Sequence, residues 1–394
     1  MNILAFYLPQ YHQIPENNEW WGHGYTEWES VKRGEILTEG QYQPRVPLNR
    51  YYYDLSNIEV MGWQAGLARK YGIYGFCVYH YWFNGKKLLE KPMEQLLEHP
   101  EIDFPFCFCW ANEDWSNIWE GDTSTIRILI SNKYDDQLDW IEHFNYMVKF
   151  FHDPRYIKED NKPVLVIYNP LHISTMDKMK KCWENMAIKA GFDGIIFMYQ
   201  TGRMLMSEDF RKGLFDYGIE YYPGLASIAK KGKKRIIFEN ILHNVATYIR
   251  QHTKLKLERK IKENHSSAKC IKEIENYDDV WNYILHRDPK SEKVIPGAFV
   301  DWDNTPRRKY AGKVILGASP EKFKLYMKAM IGRAKNVYKK NIMFIFAWNE
   351  WSEGGYLEPD EKYGYQYLEA IRDALLETGT FPKEEDDFQI ELKE

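Results

Sequence analysis

Eight short apolar runs divide this chain, and their spacing constrains its fold more than any single motif does. They are Ile3 to Leu8, Ile73 to Tyr79, Phe104 to Cys109, Pro163 to Tyr168, Gly194 to Met198, Tyr217 to Glu220, Gly297 to Val300 and Ile342 to Ala347. Each is too short for a helix and suits a strand buried on both faces. Helical patterns separate most of them. One runs from Asn57 to Tyr71 and stops at Gly72; a stripe of Leu138, Ile141, Phe144, Val148 and Phe151 marks another. A third stripe is Met176, Met179, Trp183, Met186 and Ala190; Ser319-Pro320 opens a further helix, and the last runs from Tyr363 to Leu376. No glycine-rich phosphate fingerprint follows any run. Alternation and the count of eight predict an α/β fold, a (β/α)8 TIM barrel, over a doubly wound sheet.

The barrel is expected to form one domain over residues 1–380, with two departures from the regular rhythm. Pro9 to Tyr53 is a long aromatic β1-α1 loop, too rich in indoles to be disordered. Residues 225–295, with the basic cluster Lys230 to Arg235, read as a helical insertion between strands 6 and 7. An acidic tail occupies 381–394. The net charge of −4 gives no global signal for nucleic acid. No apolar run reaches membrane-spanning length, and Met1-Asn2 lead into the first strand without a basic leader. The five cysteines, Cys77, Cys107, Cys109, Cys182 and Cys270, lack metal spacing and read as reduced thiols. A cytoplasmic location is therefore the expectation. Nothing in the sequence sets an oligomeric state.

Polar and aromatic clusters close nearly every strand, as a barrel active site requires. The strongest is Trp348-Asn349-Glu350-Trp351-Ser352-Glu353, after the eighth run and before Gly354-Gly355. Glycoside cleavage needs two carboxylates, one to protonate the leaving oxygen and one to assist attack, so Glu350 and Glu353 are the candidate catalytic pair. Asp301 and Asp303 form a D-x-D motif that grips sugar hydroxyls or, in a transferase, a cation on a nucleotide sugar. Asn112 and Glu113 are placed to bind hydroxyls. His12 and His80 are lone histidines without ligand spacing, so they read as hydrogen-bond donors. Trp21, Trp28, Trp82, Trp110 and Trp302 are candidate stacking platforms. Tyr7, Tyr168, Glu220, Trp348 and Asn349 at strand ends, with Glu27 in the long loop, complete the expected substrate-binding set. No cofactor and no metal are expected.

Several motifs together resemble one family. AFYLPQYH, NEWWGHGYTEW, YGIYGFCVYHYWF, DFPFCFCWANEDW, DWDNTPR and AWNEWSEGGYLEPD look like the WbsX-type family, in order, from Ile3 to about Leu376. Its members are often described as lipopolysaccharide-biosynthesis glycosyltransferases, and the family is similar to glycoside hydrolase family 99. The resemblance implies a (β/α)8 barrel acting on an oligo- or polysaccharide. In family 99 the last strand is followed by Glu-Trp-His-Glu-Gly; here the stretch reads Glu350-Trp351-Ser352-Glu353-Gly354. The resemblance gives Glu350 the role of base on the sugar's 2-hydroxyl and Glu353 that of general acid/base. Ser352 departs from the pattern and leaves subsite details and the substrate open. A retaining hydrolase of 1,2-trans linkages, of the α-mannoside or α-rhamnoside kind, is the expectation. A nucleotide-sugar glycosyltransferase and a non-catalytic carbohydrate-binding barrel are the alternatives.

Overall fold

The computed structural model describes residues 1–117, 127–201, 213–230 and 270–382. The barrel strands are β1 (Asn2–Tyr7), β2 (Gly75–Phe83), β3 (Phe106–Trp110), β4 (Lys162–Ile167), β5 (Ile196–Gln200), β6 (Tyr217–Ile219), β7 and β8 (Ile342–Phe346). β7 consists of two short segments, Val294–Ile295 and Gly297–Phe299, split at Pro296. Its first half pairs with β6 and its second half with β8, both parallel. The sheet path runs β7, β6, β5, β4, β3, β2, β1, β8 and returns to β7. Every neighbour along it is parallel, so the ladder closes into the expected barrel.

The helices are α1 (Pro15–Trp21), α2 (Glu27–Lys32), α3 (Ile58–Lys70), α4 (Lys91–Glu98), α5 (Gln137–Phe151), α6 (Met176–Lys189), α7 (Gly224–Lys230) and α8 (Tyr277–Leu285). After them come α9 (Thr305–Arg308), α10 (Pro320–Asn336) and α11 (Gln366–Glu377). Local chemistry sets their starts. The Asn57 side chain accepts from Glu59 N at 3.1 Å to cap α3, and Ser319 accepts from Lys322 N at 3.3 Å to cap α10, with Pro320 in the first turn.

Several boundaries differ from the sequence reading. β2 does not end at Tyr79 but continues to Phe83, because Asn84 and Gly85 take positive φ values of 51° and 83°. That two-residue turn folds Lys86–Leu88 back along β2 as a hairpin. The long loop after β1 holds two short helices, α1 and α2. The segment 225–295 is not wholly helical: Glu273–Asn276 is a strand that pairs in parallel with Lys313–Leu316, and Val294–Ile295 belongs to the barrel. Most of the basic cluster Lys230 to Arg235, and the tail from 383 onward, lie outside the described residues. No helix among the described residues is long and apolar enough to cross a membrane.

Side chains from different strands, neighbours and non-neighbours alike, meet inside the barrel. Phe6 of β1 packs on Tyr79 of β2 at 5.7 Å and on Tyr221 after β6 at 5.5 Å; Tyr221 reaches Phe346 of β8 at 5.3 Å. Gln200 of β5 donates to the Tyr79 hydroxyl at 3.3 Å. Cys77, Cys107 and Cys109 are free and buried, as the strand reading expects.

Candidate active site

The carboxyl end of β8 is turned back on itself. Asn349–Glu350 pairs antiparallel with Gly355–Tyr356 around a single 3-10 turn, Trp351–Glu353. Gly354 sits at φ 70°, and a Cβ on Gly355 would stand 2.3 Å from the Phe346 ring. The two glycines thus let both glutamates of the loop reach one place. Asn349 fastens this loop to the first: its Oδ1 accepts from Leu8 N at 2.8 Å and its Nδ2 donates to Leu8 O at 3.0 Å. Tyr11 donates to Asn349 O at 2.7 Å.

The place they reach is Arg307, in α9. Its Nη2 lies 3.3 Å from Glu350 Oε1, and its Nη1 lies 3.3 Å from Glu353 Oε1. Glu27 Oε1 takes Nε at 2.9 Å and Nη2 at 2.5 Å. Ser352 donates to Glu27 Oε1 and stands 3.2 Å from Glu350 Oε1. Three carboxylates from the β1 loop and the β8 loop therefore surround one guanidinium. Burial pushes the Glu350 carboxyl up to about 8; Arg307 opposes the shift, while Glu353 and Glu27 add to it. Sequence reasoning missed Arg307, although it closes the DWDNTPR motif already singled out. Its signal was position, four residues past an acidic motif at a strand end.

The D-x-D carboxylates are engaged within the protein. Asp301 Oδ2 is paired with Arg45 Nη2 at 2.7 Å. Asp303 Oδ2 accepts from Gln41 and Gln43, both at 2.8 Å, and its Oδ1 accepts from Thr305 N and Oγ1 at 3.0 and 2.6 Å. These partners anchor the long first loop to the end of β7. Trp302 stacks near Phe346, with ring centres 5.4 Å apart.

Other expected residues fall on two faces. Tyr168 lies inside, 6.1 Å from Tyr79 and 6.4 Å from Tyr221 between ring centres. Tyr7, His80, Trp82, Trp110, Glu220 and Trp348 point outward to the helical layer. Tyr7 donates to Gln64 of α3 at 2.7 Å, and Trp82 donates to Asp139 of α5 at 2.8 Å. His80 meets His143 of α5 at 2.8 Å, and burial lowers it to about 3. Trp110 packs on Trp183 of α6; Glu220 pairs with Arg287 and accepts from Tyr338. Trp348 donates to Glu358 at 3.1 Å. Alternation explains the split: within β2, Tyr79 faces in, so His80 must face out. Trp28 is buried against Tyr11, Tyr53 and Trp351. Asn112 is bound to the backbone of Asn169, and Glu113 Oε1 accepts from Asn169 at 3.1 Å. His12 is buried, which lowers it to about 4, and Trp21 packs near Tyr25. Of the expected substrate-binding residues, Glu27 meets Arg307 directly.

Comparisons with known proteins agree on this architecture. The solved GH99 endo-α-mannosidase from Bacteroides thetaiotaomicron has a TM-score of 0.56 at 14% identity, covering 96% of this chain and 97% of that one. A chain described as a glycoside hydrolase-like protein has a TM-score of 0.52 at 13% identity, covering 95% and 93%. At such identities the likeness is one of fold. Two strains of Xanthomonas campestris pv. campestris carry a protein named WxcX that is 34% identical over 376 residues, 95% of this chain. The match takes in 49% of WxcX, so the chain spans about half the length of these curated relatives. The family described as Glycosyltransferase WbsX matches residues 3–371. With a match over nearly its whole length, the chain belongs to the WbsX glycosyltransferase family.

Proposed function

We propose that this protein is a carbohydrate-active enzyme acting on a bacterial-type surface polysaccharide or its precursor, by retaining hydrolysis of a 1,2-trans linkage. The observation that carries the reading is the placement of Glu350 and Glu353 on either side of Arg307, at the carboxyl end of a (β/α)8 barrel. An acid-plus-base pair needs one proton shared across two carboxylates. Burial and like charge hold a proton on Glu350 up to about 8 in the unliganded protein. On sugar binding that proton passes to Glu353, and the ionised Glu350 takes the proton of the 2-hydroxyl, which it returns to the same oxygen when the ring opens. The freed oxygen attacks the anomeric carbon from the face opposite the leaving group. Glu353 protonates the leaving oxygen and afterwards activates the water that opens the 1,2-anhydro ring, with net retention. The carboxylate never bonds to the anomeric carbon, so the spacing of ordinary retaining pairs does not apply. The fold of the Bacteroides endo-α-mannosidase supports the substrate class.

The family description favours a second reading, transfer from a nucleotide sugar. The arrangement of Asp301 and Asp303 argues against it, because their oxygens are already taken by Arg45, Gln41, Gln43 and Thr305. The test follows product anomers by proton NMR during early turnover of α-mannosides and α-rhamnosides. First appearance of the α-anomer is expected; first appearance of the β-anomer overturns the mechanism. Activity should also survive chelators, and metal-dependent tight binding of a nucleotide diphosphate sugar in calorimetry would favour the transferase.

A further inference from the structure

A cavity of about 310 Å³ lies beside the β8 loop, with Trp351 in its wall. Its walls are aromatic: Tyr51, Tyr53, Trp63, Trp351 and Tyr365, with Glu358 among the lining residues. The rings stand at steep angles to one another. Tyr51 meets Trp63 at 81° with centres 5.5 Å apart, and Tyr51 meets Tyr53 at 61°. Tyr51 is 46% exposed and Tyr365 38%, so the cavity opens to solvent between two large rings. The rim is strained: Asn49 and Arg50, consecutive non-glycine residues, take φ of 56° and 54°.

Glu358 is unusual for a buried carboxylate. Its hydrogen-bond partners are all neutral: Tyr53 at 2.8 Å, Gln64 at 2.6 Å, Trp348 at 3.1 Å and Trp351 at 2.7 Å. Among the described residues it forms no salt bridge. Burial pushes this carboxyl up to about 7, so above that pH it carries a negative charge that no basic group among the described residues balances. Its two oxygens are saturated by four donors, so it acts on a ligand through its charge. Aromatic rings around a space that also borders a buried carboxylate favour a cation as occupant.

We propose that this cavity is a binding site for a small organic ammonium group. The amino group of an amino sugar in the glycan is the source that accords with the proposed function, and the site rests on that reading only for its source. Trp351 lies between Glu350 and Glu353 in the chain and lines the cavity, so an occupant would touch the catalytic loop.

The test needs no turnover, so it stands apart from the success or failure of the proposed reaction. Choline, permanently charged, and its neutral isostere 3,3-dimethylbutan-1-ol are titrated into the protein by calorimetry. Glucosamine and glucose form the second pair. Choline should bind and the isostere should not; glucosamine should bind more tightly than glucose. Trp63→Leu and Tyr51→Leu, each removing one ring, should weaken choline binding about tenfold, the size of a desolvated cation–π contact. Glu353→Gln should leave it unchanged, which separates this cavity from the catalytic cleft. Equal affinity for choline and its isostere, or no choline binding, overturns the proposal. Choline binding without any preference for glucosamine over glucose overturns the amino-sugar source.

Discussion

Glu350 makes the stability of the protein depend on pH. Unfolded, its carboxyl titrates near the ordinary ~4.3; folded, it is held up to about 8. The folded state binds the proton more tightly, so this contribution is complete below the unfolded value and is lost as pH rises through about 8. Glu350→Gln, which cannot ionise, should flatten that fall. Melting temperatures of the two proteins across pH should converge in acid, with the variant gaining at alkaline pH; parallel curves would remove Glu350 from the account. Arg307 opposes the same shift. Arg307→Gln should therefore move the acidic limb of the kcat/KM profile to higher pH as well as lower activity. Simple misfolding would lower activity without moving the limb. Glu353→Gln should cost on the order of 10²–10⁴-fold on substrates with poor leaving groups and far less on aryl glycosides. Glu350→Gln should hurt both kinds alike, and identical leaving-group responses would mean the roles are misassigned.

Within single elements, alternation and packing decide which residues matter. The stripe predicted for α5 included Leu138, which is 71% exposed; the buried residues are Trp140, His143, Phe144, Tyr146, Met147, Phe150 and Phe151. Two apolar stripes overlap on that helix, and the one holding the larger rings won its place against β3 and α6. The β8 loop is set by sterics of the same kind. Gly355→Ala would drive a Cβ into the Phe346 ring at 2.3 Å, and Phe346 also packs against Tyr221 and Trp302. Overpacking of this sort costs about 1–3 kcal/mol. The substitution should lower the denaturant midpoint and, because it displaces the turn that carries Glu353, reduce activity by more than the loss of folded protein explains.

At the scale of the whole molecule, the long first loop is fastened across the barrel mouth by buried polar pairs. Arg45 reaches Asp301, Gln41 and Gln43 reach Asp303, and Glu27 reaches Arg307. Removing one member of a buried pair strands the other charge, at a cost on the order of 3–5 kcal/mol. Arg45→Ala should therefore destabilise the fold by about that much, and Arg45→Ala with Asp301→Asn by clearly less than the sum of the two single changes. Denaturant unfolding of the four proteins measures the difference; additivity would show that the pair is not coupled. The closing strand β7 is a second long-range device, since its two halves serve different neighbours across Pro296.

The sequence by itself determined the barrel, because strand length, helical stripes and caps are local and repeat eight times. It also pointed to Glu350 and Glu353, because two glutamates and two indoles directly after a buried strand are costly unless they are used. What it left open was facing and partnership. Among the residues expected to bind substrate, Tyr7, His80, Trp110, Glu220 and Trp348 are one residue out of phase with the interior, where Phe6, Tyr79, Cys109 and Tyr221 sit instead; a period of two can be read from a strand, but which face turns inward is settled by packing across the barrel. Arg307 and Glu27 lie in stretches of chain far from the two glutamates, and only the closed barrel brings them together. Glu358 shows the same limit: its four donors come from the first loop, α3 and the β8 loop, and no local pattern announces that a carboxylate would be enclosed there without a salt bridge among the described residues.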